Sequence, residues 1–174
     1  MDRNLARLNQ IPREDALAAL SRCCGSREWV GQMIDGRPFG SVEALHELAR
    51  DAWWSLGEDD WLEAFASHPQ IGDRDVVSSQ RVAGAWERRE QAGAADSKPE
   101  LAQRLMVLNE RYRARFGFIF IICATGKSAA EMLANLESRL HHDRGIELRV
   151  AAEEQRLITE IRLTKLLVEL GRHA

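Results

Sequence analysis

An all-α fold is what this sequence predicts, and three observations predict it. Serine, proline or aspartate recurs at the head of segments whose apolar residues repeat every three to four positions. Glycine or proline punctuates the ends of those segments. Only one stretch is continuous, aromatic and β-branched, and one strand without a partner cannot build a sheet, because its backbone groups would have no ladder. The expected architecture is a single-domain bundle of about eight helices over residues 1–174, with one extended, buried connector.

Pro12-Arg13-Glu14-Asp15 opens the first expected helix, which carries Ala16, Leu17, Ala19 and Leu20 and should stop at Gly25. Ser26 caps a short second helix bearing Trp29, Val30 and Met33, closed by Gly36 and Pro38. Ser41 opens a third, with Leu45, Leu48, Ala52 and Trp53 at helical spacing, ended by Gly57. Asp59-Asp60-Trp61-Leu62 begins a fourth that runs to about Ser67. The punctuated run His68-Pro69-Gln70-Ile71-Gly72-Asp73 follows, and then a helical segment around Val82 to Ala94. Pro99 starts a helix through Arg115, with Leu101, Leu105, Leu108 and Tyr112 in its stripe. Ser128 caps the next, through Leu140, and a last long helix spans roughly Ile146 to Leu170. Phe116 to Ala124 is the β-like stretch, read as an extended connector between helices. Its buried peptide groups need partners, which makes it a place for a ligand to hydrogen-bond.

Composition narrows the function. The formal net charge is -3, which argues against a nucleic-acid partner. No apolar run is long enough to span a bilayer. Met1-Asp2-Arg3-Asn4 lacks the layout of a signal peptide, and the closing Gly-Arg-His-Ala is not a peroxisomal address, so a cytoplasmic protein is expected. Cys23, Cys24 and Cys123 have neither framework nor zinc spacing and read as reduced, buried thiols. Five tryptophans exceed what one modest core needs and suggest an interface.

Several local patterns could carry chemistry. Ala124-Thr125-Gly126-Lys127-Ser128 ends like a phosphate-binding loop, but Ile121 stands where the pattern needs its first glycine. A turn leading into a serine-capped helix is the better reading. His68 precedes a proline, which steers it out of the helical conformation. Taken alone it reads either as an exposed or capping histidine or as a catalytic one. His141 and His142 are adjacent at a helix end and point in different directions, so they make a poor chelating pair. No metal site is expected. Glu87-Arg88-Arg89-Glu90-Gln91 is a charge run followed by the small residues Ala92-Gly93-Ala94-Ala95, which would let a ligand or backbone approach closely. Arg162 shares a helix face with Ile158 and Leu166, so it either snorkels or faces a pocket.

Together these runs resemble a family. His68-Pro69-Gln70-Ile71-Gly72-Asp73, Glu90-Gln91-Ala92-Gly93-Ala94, Phe116 through Gly126, and Ile161-Arg162-Leu163 look like the signatures of the 2-oxo-4-hydroxy-4-carboxy-5-ureidoimidazoline (OHCU) decarboxylases, in that order. Arg37-Pro38-Phe39 also fits, and the resemblance covers almost the whole chain. It implies an all-α homodimer that makes (S)-allantoin from a small ureidoimidazoline substrate in urate catabolism, without metal or organic cofactor. It implies that His68 and Glu90 are catalytic. It also implies that Pro69, Gln91, Arg162 and the backbone of Phe120, Ile121, Ile122, Cys123 and Ala124 bind the substrate. Glu87 occupies a substrate-binding position where many members carry serine, a departure that puts its role in doubt. The competing reading is a non-catalytic helical relative that binds a partner protein; it predicts that His68 and Glu90 can be replaced without chemical consequence.

Overall fold

The computed structural model of the chain describes residues 2–69 and 99–172. Within them every regular element is helical: α1 (Arg3–Gln10), α2 (Arg13–Ser21), α3 (Arg27–Asp35), α4 (Val42–Ser55), α5 (Glu58–Ala66), α6 (Pro99–Phe116), α7 (Ala129–Arg139) and α8 (Arg144–Arg172). The all-α expectation therefore holds. The helix expected around Val82 to Ala94 lies outside the described residues, and α1 was not among the expected elements. Asp2 caps α1 by accepting from the amides of Asn4 and Leu5 at 2.8 and 3.2 Å. Its apolar stripe is only Leu5 and Leu8, too short a signal to read as periodicity.

The chain divides into two compact units: Met1–Ala64 with Arg156–Ala174, and Phe65–Gln155. In the first, α2 packs on α3 and α3 on α4. Trp29, Trp53 and Trp61 are buried there, and two of their indoles find backbone acceptors: Trp29 Nε1 donates to Ala49 O at 2.9 Å and Trp61 Nε1 to Trp53 O at 3.1 Å. A buried indole N–H needs such a partner. Trp54 meets Trp61 edge-on at 5.7 Å. Three of the five tryptophans are thus buried in the core of this unit, with half-buried Trp54 packed against one of them. Ser26 and Ser41 cap α3 and α4 as expected.

Gly25 does not stop α2. The helix ends at Ser21, because the amides of Cys23 and Cys24 both turn back onto Leu20 O, at 2.9 and 3.2 Å. That tight turn sends both cysteine side chains into the core, where burial pushes each thiol up to about 12. All three cysteines are free and buried.

In the second unit α6 packs against α7. Residues 117–128 between them are irregular, as expected of the connector. Glycines with positive φ stand near both of its ends, Gly117 at 83° and Gly126 at 80°, where the chain takes left-handed turns that side chains resist. Between them Phe118 and Phe120 bury their rings around Tyr112, at 5.7 and 5.3 Å, and Phe65 meets Phe118 at 5.5 Å. Ser128 starts α7 with a full capping box: its hydroxyl oxygen accepts from the Glu131 amide at 3.3 Å, and its own amide donates to the Glu131 carboxylate at 2.8 Å. Lys127 folds back so that Nζ donates to Cys123 O at 2.7 Å. Both features fit a turn and a capped helix rather than a phosphate loop. Among the described residues, no helix is long and apolar enough to cross a membrane.

Candidate active site

Proline acts on the residue before it, and the consequence is visible at the end of α5. The helix closes at Ala66, and the amide of His68 bonds back to Phe65 O at 3.1 Å. The chain then leaves through Pro69. His68 and Pro69 are half-buried. The imidazole Nε2 of His68 lies 2.7 Å from Oε1 of Gln155 on α8, a residue 0% exposed. Gln155 is absent from the sequence-predicted site.

The connector was expected to hold peptide groups in search of partners, and side chains supply several of them. Cys123 N–H donates to the Glu154 carboxylate at 2.7 Å. Ile121 O accepts from Arg139 Nη1 at 2.8 Å. Phe116 O accepts from Arg144 Nε at 3.2 Å. Phe120 to Ala124 are all buried, so these bonds compensate groups withdrawn from water. Neighbouring residues of one helix, Glu154 and Gln155, thereby fasten the connector and His68 respectively.

Behind the connector lies a buried charged network. Arg139 Nε donates to Glu147 Oε1 at 2.8 Å, and the Tyr112 hydroxyl donates to the same carboxylate. Burial holds the Tyr112 phenol well above its ordinary pKa, so it remains a donor. His142 Nδ1 is 2.7 Å from Glu147 Oε2, and the Arg139 guanidinium stacks 4.6 Å from the Phe120 ring. His142 turns to Glu147, and His141 is exposed. Among the described residues, no group of three or more His, Cys, Asp or Glu could hold a metal ion. A groove of about 950 Å³ lined by Arg104, Leu108, Arg111, Glu137 and His141 contains none of the predicted site residues.

Arg162 belongs to the first unit and is buried. Its Nη1 donates to Arg22 O at 3.4 Å, and its charge counteracts the rise of both Cys23 and Cys24. It is therefore an interior guanidinium rather than a snorkelling one. Glu87, Glu90 and Gln91 lie outside the described residues.

The family model described as OHCU decarboxylase matches residues 9–164. The uric acid degradation bifunctional protein TTL of Arabidopsis thaliana is 44% identical over 146 residues, which cover 83% of this chain and 45% of that protein. The chain thus spans less than half of that bifunctional relative. The 2-oxo-4-hydroxy-4-carboxy-5-ureidoimidazoline decarboxylase of Haloferax volcanii is 29% identical over 167 residues, covering 92% of this chain and 94% of the relative. Among solved structures, a crystal structure of OHCU decarboxylase in the presence of (S)-allantoin superposes with a TM-score of 0.71 at 40% identity, covering 85% of this chain and 96% of the other. A crystal structure of (S)-allantoin synthase shares the fold, with a TM-score of 0.71 at 18% identity over 93% of this chain and 53% of that one.

Proposed function

The chain belongs to the OHCU decarboxylase family, and from that premise we propose that it converts 2-oxo-4-hydroxy-4-carboxy-5-ureidoimidazoline to (S)-allantoin in urate breakdown. The observation that carries the reading is His68, a half-buried imidazole at a helix exit with its ring fastened to a buried amide. A histidine held in this way suits proton transfer better than packing.

The chemistry asks little of a protein beyond orientation and proton management. When the carboxylate leaves as carbon dioxide, the electron pair of the breaking bond moves toward the neighbouring ring C=N, whose nitrogen takes up a proton. The resulting enol then gives up its hydroxyl proton while the adjacent ring carbon gains one, which yields the ketone of allantoin. The substrate supplies its own electron sink, so the reaction needs neither a metal nor an organic cofactor. His68 is the general acid–base group for these transfers, and Glu90 hydrogen-bonds the substrate hydroxyl and assists ketonisation. Protonation from one face sets the chirality of the product.

Pro69, Glu87, Gln91, Arg162 and the backbone of Phe120 to Ala124 hold the substrate in this reading. Arg162 suits a carbonyl or carboxylate through its planar fork. Backbone amides of the connector offer preorganised dipoles to developing negative charge. Because Cys123 N–H already donates to Glu154, an anionic substrate oxygen must displace that carboxylate or use a neighbouring amide.

The test generates the unstable substrate in situ from urate with urate oxidase, dioxygen and hydroxyisourate hydrolase, and follows circular dichroism. A chiral allantoin signal that outpaces the spontaneous racemic background supports the reaction; an unchanged background ends it. Exhaustive chelation should leave the rate intact. The proposal extends to one domain acting as a cytoplasmic homodimer. Sedimentation equilibrium at micromolar concentration should show the dimer, and monomer alone would overturn that part.

A further inference from the structure

We propose that Gln155 is a positioning residue for His68: it fixes the orientation of the imidazole and keeps a proton on Nε2, so that Nδ1 is the nitrogen that changes protonation during turnover. The inference rests on the decarboxylase reading above. Gln155 occupies a core position of α8, among Ala151, Ala152, Ile158 and Thr159, all buried. A leucine or methionine would fill such a site without the cost of withdrawing an amide from water. The amide is there nonetheless, and its Oε1 lies 2.7 Å from His68 Nε2.

The backbone around His68 explains what remains to be fixed. Its amide is bonded to Phe65 O, and Pro69 restricts the conformation before it. These backbone constraints set where the Cα sits; they do not by themselves set the side-chain torsions of the ring. A hydrogen bond to one ring nitrogen fixes those torsions and chooses the tautomer of the neutral ring. An amide oxygen can accept from Nε2–H whether the ring is neutral or cationic. It therefore orients the base without the charge bias that a carboxylate would impose.

The experiment uses the full chain labelled with 15N-histidine, with His68→Asn to assign the ring signals. Long-range 1H–15N spectra give the tautomer, and the coupled circular-dichroism assay gives kcat and KM. In the unsubstituted protein the neutral His68 ring should carry its proton on Nε2. Gln155→Met keeps the length and the burial but removes the acceptor. It should shift the ring toward a tautomer mixture and lower kcat by roughly ten- to a hundredfold, with KM changed by less than about threefold. Gln155→Glu restores an acceptor oxygen and should restore the Nε2–H signal, which also decides the matter if the Met variant does not fold. An Nδ1–H tautomer in the unsubstituted protein, or wild-type kcat in Gln155→Met, overturns the proposal. Absence of turnover in the unsubstituted protein would instead remove the decarboxylase reading, and the ring spectra would still report whether Gln155 holds His68.

Discussion

His68 and His142 stand in the same unit, each with a ring nitrogen 2.7 Å from a buried side-chain oxygen, but the oxygens differ. His68 meets the neutral amide of Gln155. His142 meets the carboxylate of Glu147, which also takes hydrogen bonds from Arg139 and Tyr112. That second cluster ends on the connector, through Arg139 to the Ile121 carbonyl and over the Phe120 ring. One histidine is thus tied into an ionic clamp that shapes the backbone. The other rests on a neutral amide. The two contacts are equal in length and differ in the charge of the partner, the contrast expected if, on the proposed reading, one histidine builds and the other reacts.

The largest expected effect lies on the reactive side. His68→Asn should lower turnover by roughly two to four orders of magnitude, the usual worth of general acid–base catalysis. Its melting temperature should barely move, since His68 is half-buried outside the helix. Glu90→Gln tests the second proposed catalytic group, and the double variant should be little worse than the poorer single one if both serve one proton-transfer sequence. Near-normal turnover in both single variants would favour a partner-binding protein.

Glu147→Gln breaks the clamp. It leaves the Arg139 guanidinium buried without its counter-charge, a loss of about 3–5 kcal/mol. In a chain of this size that is a fall of roughly 10 °C in Tm, measurable by calorimetry. A shift within about 2 °C would mean that the cluster does not hold this part of the fold together. His142→Asn should be the mildest change. The His142 side chain is 32% exposed, so water can take over part of its bond, and the expected loss is about 1 kcal/mol with turnover unchanged. A large drop in turnover would blur the division between the two histidines.

Legibility in the sequence follows the range of the interaction. Ser26, Ser41 and Ser128 announce helix starts because a cap is satisfied within three residues. The exit of His68 is readable because proline constrains its immediate predecessor. Arg162 stands out as a charge in an apolar stripe, and it is indeed buried. Gln155 sits in that same stripe, seven residues earlier, but inside Glu153-Glu154-Gln155-Arg156 it passes for part of a solvated run. Its partner is 87 positions away, beyond the reach of any local pattern. The Arg139–Glu147 pair is hidden for a related reason: eight residues and a turn between two helices separate them, and only packing under the connector shows that both are interior. Gly25 misleads because a glycine near a helix end need not be the residue that ends it; the turn at Cys23 and Cys24 acts first.

The same turn has a practical consequence for labelling chemistry. Maleimides and iodoacetamides react with thiolates, and a thiol raised to about 12 is almost wholly protonated near neutrality. Cys23 and Cys24 are also shut away from reagent, as is Cys123 by its burial. The native cysteines can therefore stay in place when a reporter is wanted. A single cysteine introduced at exposed Val168 on α8 would carry a fluorophore or spin label selectively, without first stripping the chain of its own sulfur.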